Sequence, residues 1–212
     1  MKLILFYILS IGLISCSSKG QEKKVSDLKT ENKSDTITTS SELKPDYREI
    51  LLFENKLDTF LIPFPEKDML PTLKKYYAPY LVKRNIGQQD GPDYSYIDIA
   101  RNDEDPITYI NFDSDNKLRL NEIRIVNSTA HDQYEVRVGD PLTKVITSRG
   151  KGEIGFDPYH FHIYYYYKNS NISYELGGEL HTPAEENMEN IVLTYDDISS
   201  HTVHSIIWRN KK

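Results

Sequence analysis

The chain has 212 residues, with 26 Lys+Arg against 32 Asp+Glu and a formal net charge of −6. That length can bury a real core in one ordinary domain or two small ones, and the mild acidity argues against a nucleic-acid partner, which needs a basic surface. The single cysteine excludes an internal disulfide and any zinc site built from several cysteines.

The N-terminus reads as an export signal. Lys2 supplies the positive charge, and Leu3 to Leu13 is an apolar run broken only by Ser10 and Gly12. A membrane-spanning helix needs roughly 20 apolar residues, so this run is too short to span. The quartet Leu13-Ile14-Ser15-Cys16 resembles the lipobox of bacterial lipoproteins. The resemblance implies a signal peptide over 1–15, cleavage before Cys16, acylation of its thiol by palmitate-type chains, and a cell-envelope location, with sorting to the outer membrane because Ser17 rather than Asp follows the cysteine. Two or three acyl chains hold a bilayer far more durably than one. Lipid-anchored Cys16 then opens a tether over 16–46. Its residues 17–46 carry only Val25, Leu28, Ile37 and Leu43 as apolar side chains, too few to offset the entropy of ordering them. Thirty flexible residues span about 30 Å, enough to hold a domain clear of lipid head groups.

From Tyr47 onward the composition is globular and largely β. TFLIP (59–63) leads into a helical pattern from Pro65, with Met69, Leu73, Tyr76 and Tyr80 at spacings of three and four. Strands are expected over 93–100, after the Gly91-Pro92 turn, and over 107–113 and 118–126 as a hairpin around Ser114-Asp115-Asn116-Lys117. Leu118 and Leu120 differ in parity from Ile123 and Ile125, and a bulge near Asn121-Glu122 would turn all four inward. EVRV (135–138) precedes the clearest helix, over 140–150: Asp140 can cap it, Pro141 fits its first turn, Leu142, Val145 and Ile146 form its apolar stripe, and Gly150 stops it. Further strands are expected over 160–167, 172–176, 190–195 and 204–209.

The order strand, helix, strands occurs twice, at an offset of 76 from Phe60 to Val136 and from Met69 to Val145. It predicts an α+β fold of antiparallel sheet with few short helices on one face, arranged as two tandem modules over 47–127 and 128–212, or as a single larger α+β domain. Val138-Gly139-Asp140-Pro141, the helix, Gly150 and the strands after it resemble a module shared by the outer-membrane assembly small lipoproteins and the β-lactamase-inhibitor protein. That resemblance implies helices on one face of an antiparallel sheet, and protein binding as the work done.

Motifs with chemical associations are few. Gly150-Lys151-Gly152-Glu153-Ile154-Gly155 satisfies GxGxxG but follows a helix, whereas a dinucleotide loop must open one, so it reads as a helix stop and loop. Asp113-Ser114-Asp115-Asn116-Lys117 begins like a calcium loop, but Lys117, Leu118 and Arg124 occupy positions that need a ligand, a glycine and a glutamate; it is a turn. His160 and His162 lie two apart on one strand and could share a metal, with His181, His201 or His204 as a third ligand. No catalytic motif is legible, and no metal or other cofactor is expected.

The Tyr-rich strand offers the candidate binding surface. Alternation turns Phe161, Ile163, Tyr165 and Tyr167 inward and leaves His160, His162, Tyr164 and Tyr166 on the opposite face. Tyrosine gives a large contact area at little rotamer cost, and it also stacks on sugar rings. The expectation is a lipid-anchored, non-catalytic binding lipoprotein of the cell envelope, with the membrane held through its anchor and an envelope protein or a glycan as partner. The alternatives are an envelope- or polysaccharide-directed hydrolase, with or without a metal, and a structural assembly factor of an outer-membrane complex.

Overall fold

In the computed structural model of the chain, residues 45–88, 92–180 and 191–211 are described. The signal peptide, Cys16, nearly all of the tether, and His181 lie outside the described residues.

Twelve strands and three helices follow one another. β1 (Ile50–Leu52), β2 (Lys56–Leu57) and β3 (Phe60–Leu61) precede α1 (Leu70–Tyr76). Then come β4 (Leu81–Gly87), β5 (Tyr94–Ala100), β6 (Pro106–Phe112), β7 (Leu120–Ile125) and the short β8 (Ala130–Asp132). α2 (Leu142–Arg149) is followed by β9 (Glu153–Asp157), β10 (His162–Tyr166), β11 (Ile172–Gly177), α3 (Tyr195–Ile198) and β12 (Thr202–Arg209). The fold is α+β, as the alternation of Ile, Val and Tyr with polar residues predicts.

Eight strands form one sheet in the order β4-β5-β6-β7-β12-β11-β10-β9, and every pairing in it is antiparallel. Counted outward from the central β7–β12 pair, chain order falls by one per strand on both sides. Each half of the chain thus contributes four strands with the same layout, preceded by α1 in the first half and by α2 in the second, where α3 also comes before the last strand. The second, four-stranded sheet, β3-β2-β1-β8, pairs β1 with β8 in parallel, so the start of one half is stitched to the start of the other.

One face of the large sheet makes the core. Ile97 and Ile99, Ile110, Ile123 and Ile125, Ile206 and Trp208, and Tyr165 and Tyr174 are wholly or almost wholly buried there. They form one cluster with Leu73 and Tyr77 of the α1 region, Leu142 and Val145 of α2, and Ile50, Leu52 and Leu57 of the small sheet. Each fully buried aliphatic side chain contributes roughly 1.5–3 kcal/mol relative to exposure.

Polar ties close the seam between the halves. Glu54 in the β1–β2 turn accepts from Tyr134 Oη (3.2 Å), the Asn171 amide N–H (2.7 Å) and Ser170 Oγ, and its carbonyl accepts from Trp208 Nε1 (2.8 Å). Arg149 at the end of α2 lies between the rings of Tyr134 and Tyr167, at 3.9 and 4.0 Å, with its side chain 4% exposed. Such a desolvated guanidinium between aromatic faces is strongly held.

Several expectations need correction. The segment 135–138 is not a regular strand: the Asp132 carboxylate accepts the N–H groups of Tyr134 and Val136 and draws the chain into a tight turn at 133–134, after which only Arg137 makes an isolated antiparallel bridge, to His131. Asp140 does not cap α2; it accepts Arg137 N–H at 2.7 Å, and Pro141 is the N-cap. The first helix is shorter than its apolar pattern, and Tyr77 rather than Tyr76 is its fully buried aromatic. Residues 191–195 do not form a strand: Thr194 and Asp197 make a capping box that starts α3, so the Asp196-Asp197 pair lies in a helix turn, not a loop. The GxGxxG stretch holds β9, the outer strand of the second half. Asn121 does form the expected bulge, opposite Asn111 and Phe112, which brings Leu120, Ile123 and Ile125 inward, while Leu118 stays in the turn and is 38% exposed.

Candidate functional site

Among the described residues no helix packs on the opposite face of the large sheet, and that face is not a plain polar surface. Register places Asp98, Tyr109, Arg124, Ile207 and Ser173 in one cross-strand row. Tyr96, Asn111, Glu122 and Arg209 form the next. Ser205, Glu175 and Tyr164 form a third. Ile207 is fully buried yet stands apart from the core cluster, so this face covers apolar surface of its own.

An ion network occupies its floor. Arg124 Nε donates to Glu122 Oε1 at 3.0 Å, and Arg124 Nη1 donates to Glu175 Oε2. Arg209 Nε donates to Glu122 Oε2 at 2.8 Å, Asn111 Nδ2 donates to Glu122 Oε1 at 3.1 Å, and Ser205 Oγ donates to Glu175 Oε2 at 2.7 Å. His162 Nδ1 lies 2.7 Å from Glu175 Oε1. The Glu122 and Glu175 side chains are 6% and 8% exposed, against 51% for Arg209 and 41% for His162. Burial opposes ionisation of Glu122, but Arg124 and Arg209 outweigh it and hold its carboxyl below the usual range. Burial likewise works against the Arg124 charge, and the two glutamates outweigh it.

Half-exposed tyrosines flank the network on both sides. Tyr94, Tyr96 and Tyr109 come from the first half, with the Tyr96 and Tyr109 rings edge to face at 5.6 Å. Tyr164 and Tyr166 come from the second, and burial raises both hydroxyls. Asp98, beside Tyr96 and Tyr109, is 6% exposed with Oδ1 unpartnered, and burial raises its carboxyl above the ordinary value.

The sheet curls strongly enough for strands far apart in its order to line one hollow. A cleft of about 420 Å³ is bounded by Gly87 and Tyr94 of the β4–β5 end and by His162 of β10. It shares Tyr94, Asn111, Glu122 and Arg124 with a second cleft of about 360 Å³. The second shares Arg209 with a third of about 340 Å³, floored by Tyr164, Tyr166 and Gly155. Accumulated strand twist shapes such a trough, and Pro92 and Ser114 from the turns add to the wall of the second cleft.

Of the residues predicted from sequence, His162, Tyr164 and Tyr166 lie on this face. His160 lies in the β9–β10 turn, 72% exposed, with Nδ1 2.8 Å from the Asp157 carboxylate and its ring 6.0 Å from His162. Ile163 and Tyr165 are buried as alternation requires, but Phe161 is 56% exposed at φ 57°, because the hairpin turn begins there and breaks the pleat. His201 is fully buried without a side-chain partner, away from His160 and His162; among the described residues no three His, Cys, Asp or Glu side chains converge to hold a metal. The sequence reading missed Glu122, Arg124, Glu175 and Arg209, although charges alternating with isoleucine, as in Glu122-Ile123-Arg124-Ile125, mark a strand that buries charge when it is central.

No protein-family model matches the chain, and no curated protein matches it either. Among solved structures it is similar to that of the uncharacterized protein YfeY from Escherichia coli, at 19% identity and a TM-score of 0.56, over 75% of this chain and 99% of that one. That likeness supports the α+β fold.

Proposed function

We propose that the chain is a lipid-anchored, non-catalytic binding lipoprotein of the cell envelope that takes a protein or glycan partner in the trough. The observation that carries this reading is the paired ion network beneath half-exposed tyrosines. Stability alone does not ask for it: taking two carboxylates and a guanidinium out of water costs several kcal/mol per ion, and apolar residues would fill the same space at no such penalty. A solvent-facing sheet face needs only alternating polar residues. Fixed charges under aromatic plates are what recognition uses. Glu122 is also poorly placed for proton transfer, since two arginines hold it ionised. The lipobox resemblance around Cys16 supplies the anchor.

Photo-crosslinking in intact envelopes tests the reading. A photoreactive residue in place of Tyr109 should give a discrete adduct, and one in place of the exposed helix residue Thr147, on the other side of the sheet, should give none. Equal adducts from both positions, or none from Tyr109, would contradict a binding role for this face.

A further inference from the structure

Resting on that reading, we infer that the trough's ligand is an acidic glycan, a chain of sugar rings bearing carboxylates, with its charged end at the Tyr164–Tyr166 cleft. Three observations converge on this chemistry.

The trough is long and has an alternating character. Its clefts share lining residues in series, so a linear ligand can cross from Tyr94 and Tyr96, over Asn111, to Tyr164 and Tyr166. Rings at both ends offer flat apolar faces, and the middle offers planar polar groups. Sugar rings have the matching make-up, with a C–H face for stacking and hydroxyls around the rim. Of the large exposed hydrophobic side chains, Leu81 at the start of β4 is 38% exposed and is not among the residues lining the clefts, and Leu61, Ile86, Leu118, Tyr159, Phe161 and Val192 do not line them either. A protein partner would instead want an apolar centre to its contact.

The open charge at one end is positive, on a chain whose net charge is −6. Glu122 and Glu175 are buried and neutralised from above by Arg124 and Arg209. What faces solvent around the Tyr164–Tyr166 cleft is Arg209, bound to Glu122 through Nε and Nη2, and Lys211. Lys211 Nζ donates one bond to the Tyr167 carbonyl (3.0 Å) and sits 5.4 Å from the Tyr166 ring centre, which leaves two of its N–H groups for a ligand. The cleft's one acid, Asp157, is engaged by His160.

The floor is kept flat. Gly155 lies opposite Tyr164 in the ladder, and a Cβ there would stand 3.3 Å from Tyr166 Cε1 and 3.8 Å from Tyr164 Cβ. A side chain at 155 would press on the Tyr166 ring. With the Arg209 charge already paired to Glu122, Lys211 carries the positive charge left for a ligand, which matches a single monoanion per sugar and favours a carboxylate over a dianionic phosphate.

Calorimetric titration of the full chain in detergent with hexagalacturonate, against uncharged maltohexaose, tests the inference. Hexagalacturonate should bind, more weakly as salt rises, and maltohexaose should bind at least about tenfold less well. Tyr166→Ala and Lys211→Gln should each weaken hexagalacturonate by about tenfold, with unchanged thermal melting as the check on folding. Equal binding of the two sugars, no binding of hexagalacturonate at millimolar concentration, or unchanged affinity in both folded variants would overturn it. A protein adduct at Tyr109 alongside silent titrations would overturn the acidic glycan and leave the binding reading standing. If both experiments are blank, both fall.

Discussion

At the scale of single residues, the account turns on two acids that their surroundings treat in opposite ways. Glu122 is paired, so its folded carboxyl is held below the ordinary value of 4.5. Its contribution to stability is therefore present above that value and is lost as pH falls through the folded one. Arg124→Met would leave Glu175 with only His162 and Ser205 and Glu122 with Arg209 and Asn111. Denaturant unfolding should show a loss of about 3 kcal/mol at neutral pH and a flatter acid limb than the parent. An Arg124→Met variant as stable as the parent would contradict the pairing. Asp98 is the reverse case. It lies buried with Oδ1 unpartnered, and burial raises its folded carboxyl above 3.8. Its favourable state is the protonated one, so the stability it permits is full below 3.8 and lost as pH rises through the folded value. Asp98→Asn should therefore stabilise by about 1 kcal/mol at pH 7, and the gain should vanish on acidification. A constant difference across pH would contradict this. Neither acid was legible in the sequence as a site, because a Glu or Asp on a strand looks the same whether the strand is central or at an edge.

At the scale of elements, local pattern carried a good deal. Ile163 and Tyr165 against Tyr164 and Tyr166 fixes the faces of β10, and the parity break in 118–126 located the Asn121 bulge. Where sequence failed, a side chain had captured the backbone: Asp132 draws the chain into a turn at 133–134, ahead of the strand expected over 135–138, and the Thr194–Asp197 box starts a helix where β-branched residues suggested a strand. Such captures depend on neighbours that propensity does not contain. β9 was missed because glycines at 152 and 155 read as loop, whereas in the sheet they make room for Tyr165 and Tyr166. Trp208 on β12 joins the elements of both halves: it is fully buried and bonded to the Glu54 carbonyl. Trp208→Ala should cost about 3–5 kcal/mol in denaturant unfolding. A cost near zero would mean that the seam does not depend on it.

At the scale of the whole molecule, the large sheet joins four strands from each half at β7–β12, with α1 in the first half and α2 and α3 in the second, and Leu43–Lys212 forms one compact unit. The sequence led to a repeated order of strand, helix and strands at an offset of 76, but Val136, one of its anchors, lies in no strand, so the halves correspond in strand layout and not at that offset. The consequence of that layout was not visible: joining two four-stranded halves at their last strands puts Arg124 and Arg209 side by side at the seam and the tyrosines on either flank. We expect the anchor to act at this scale too. Cys16→Ser should abolish fatty-acid labelling and leave uncleaved precursor, and labelled lipid still found on the Ser variant would contradict the lipoprotein assignment. The central claim is that the tyrosine-lined trough is occupied in the envelope, and tyrosine footprinting measures that directly. Compared between intact envelopes and the purified chain, Tyr96, Tyr109, Tyr164 and Tyr166 should be protected from iodination in the envelope, while Tyr159, 76% exposed at the β9–β10 turn, should react equally in both. Equal reactivity of the trough tyrosines in the two preparations would contradict the claim.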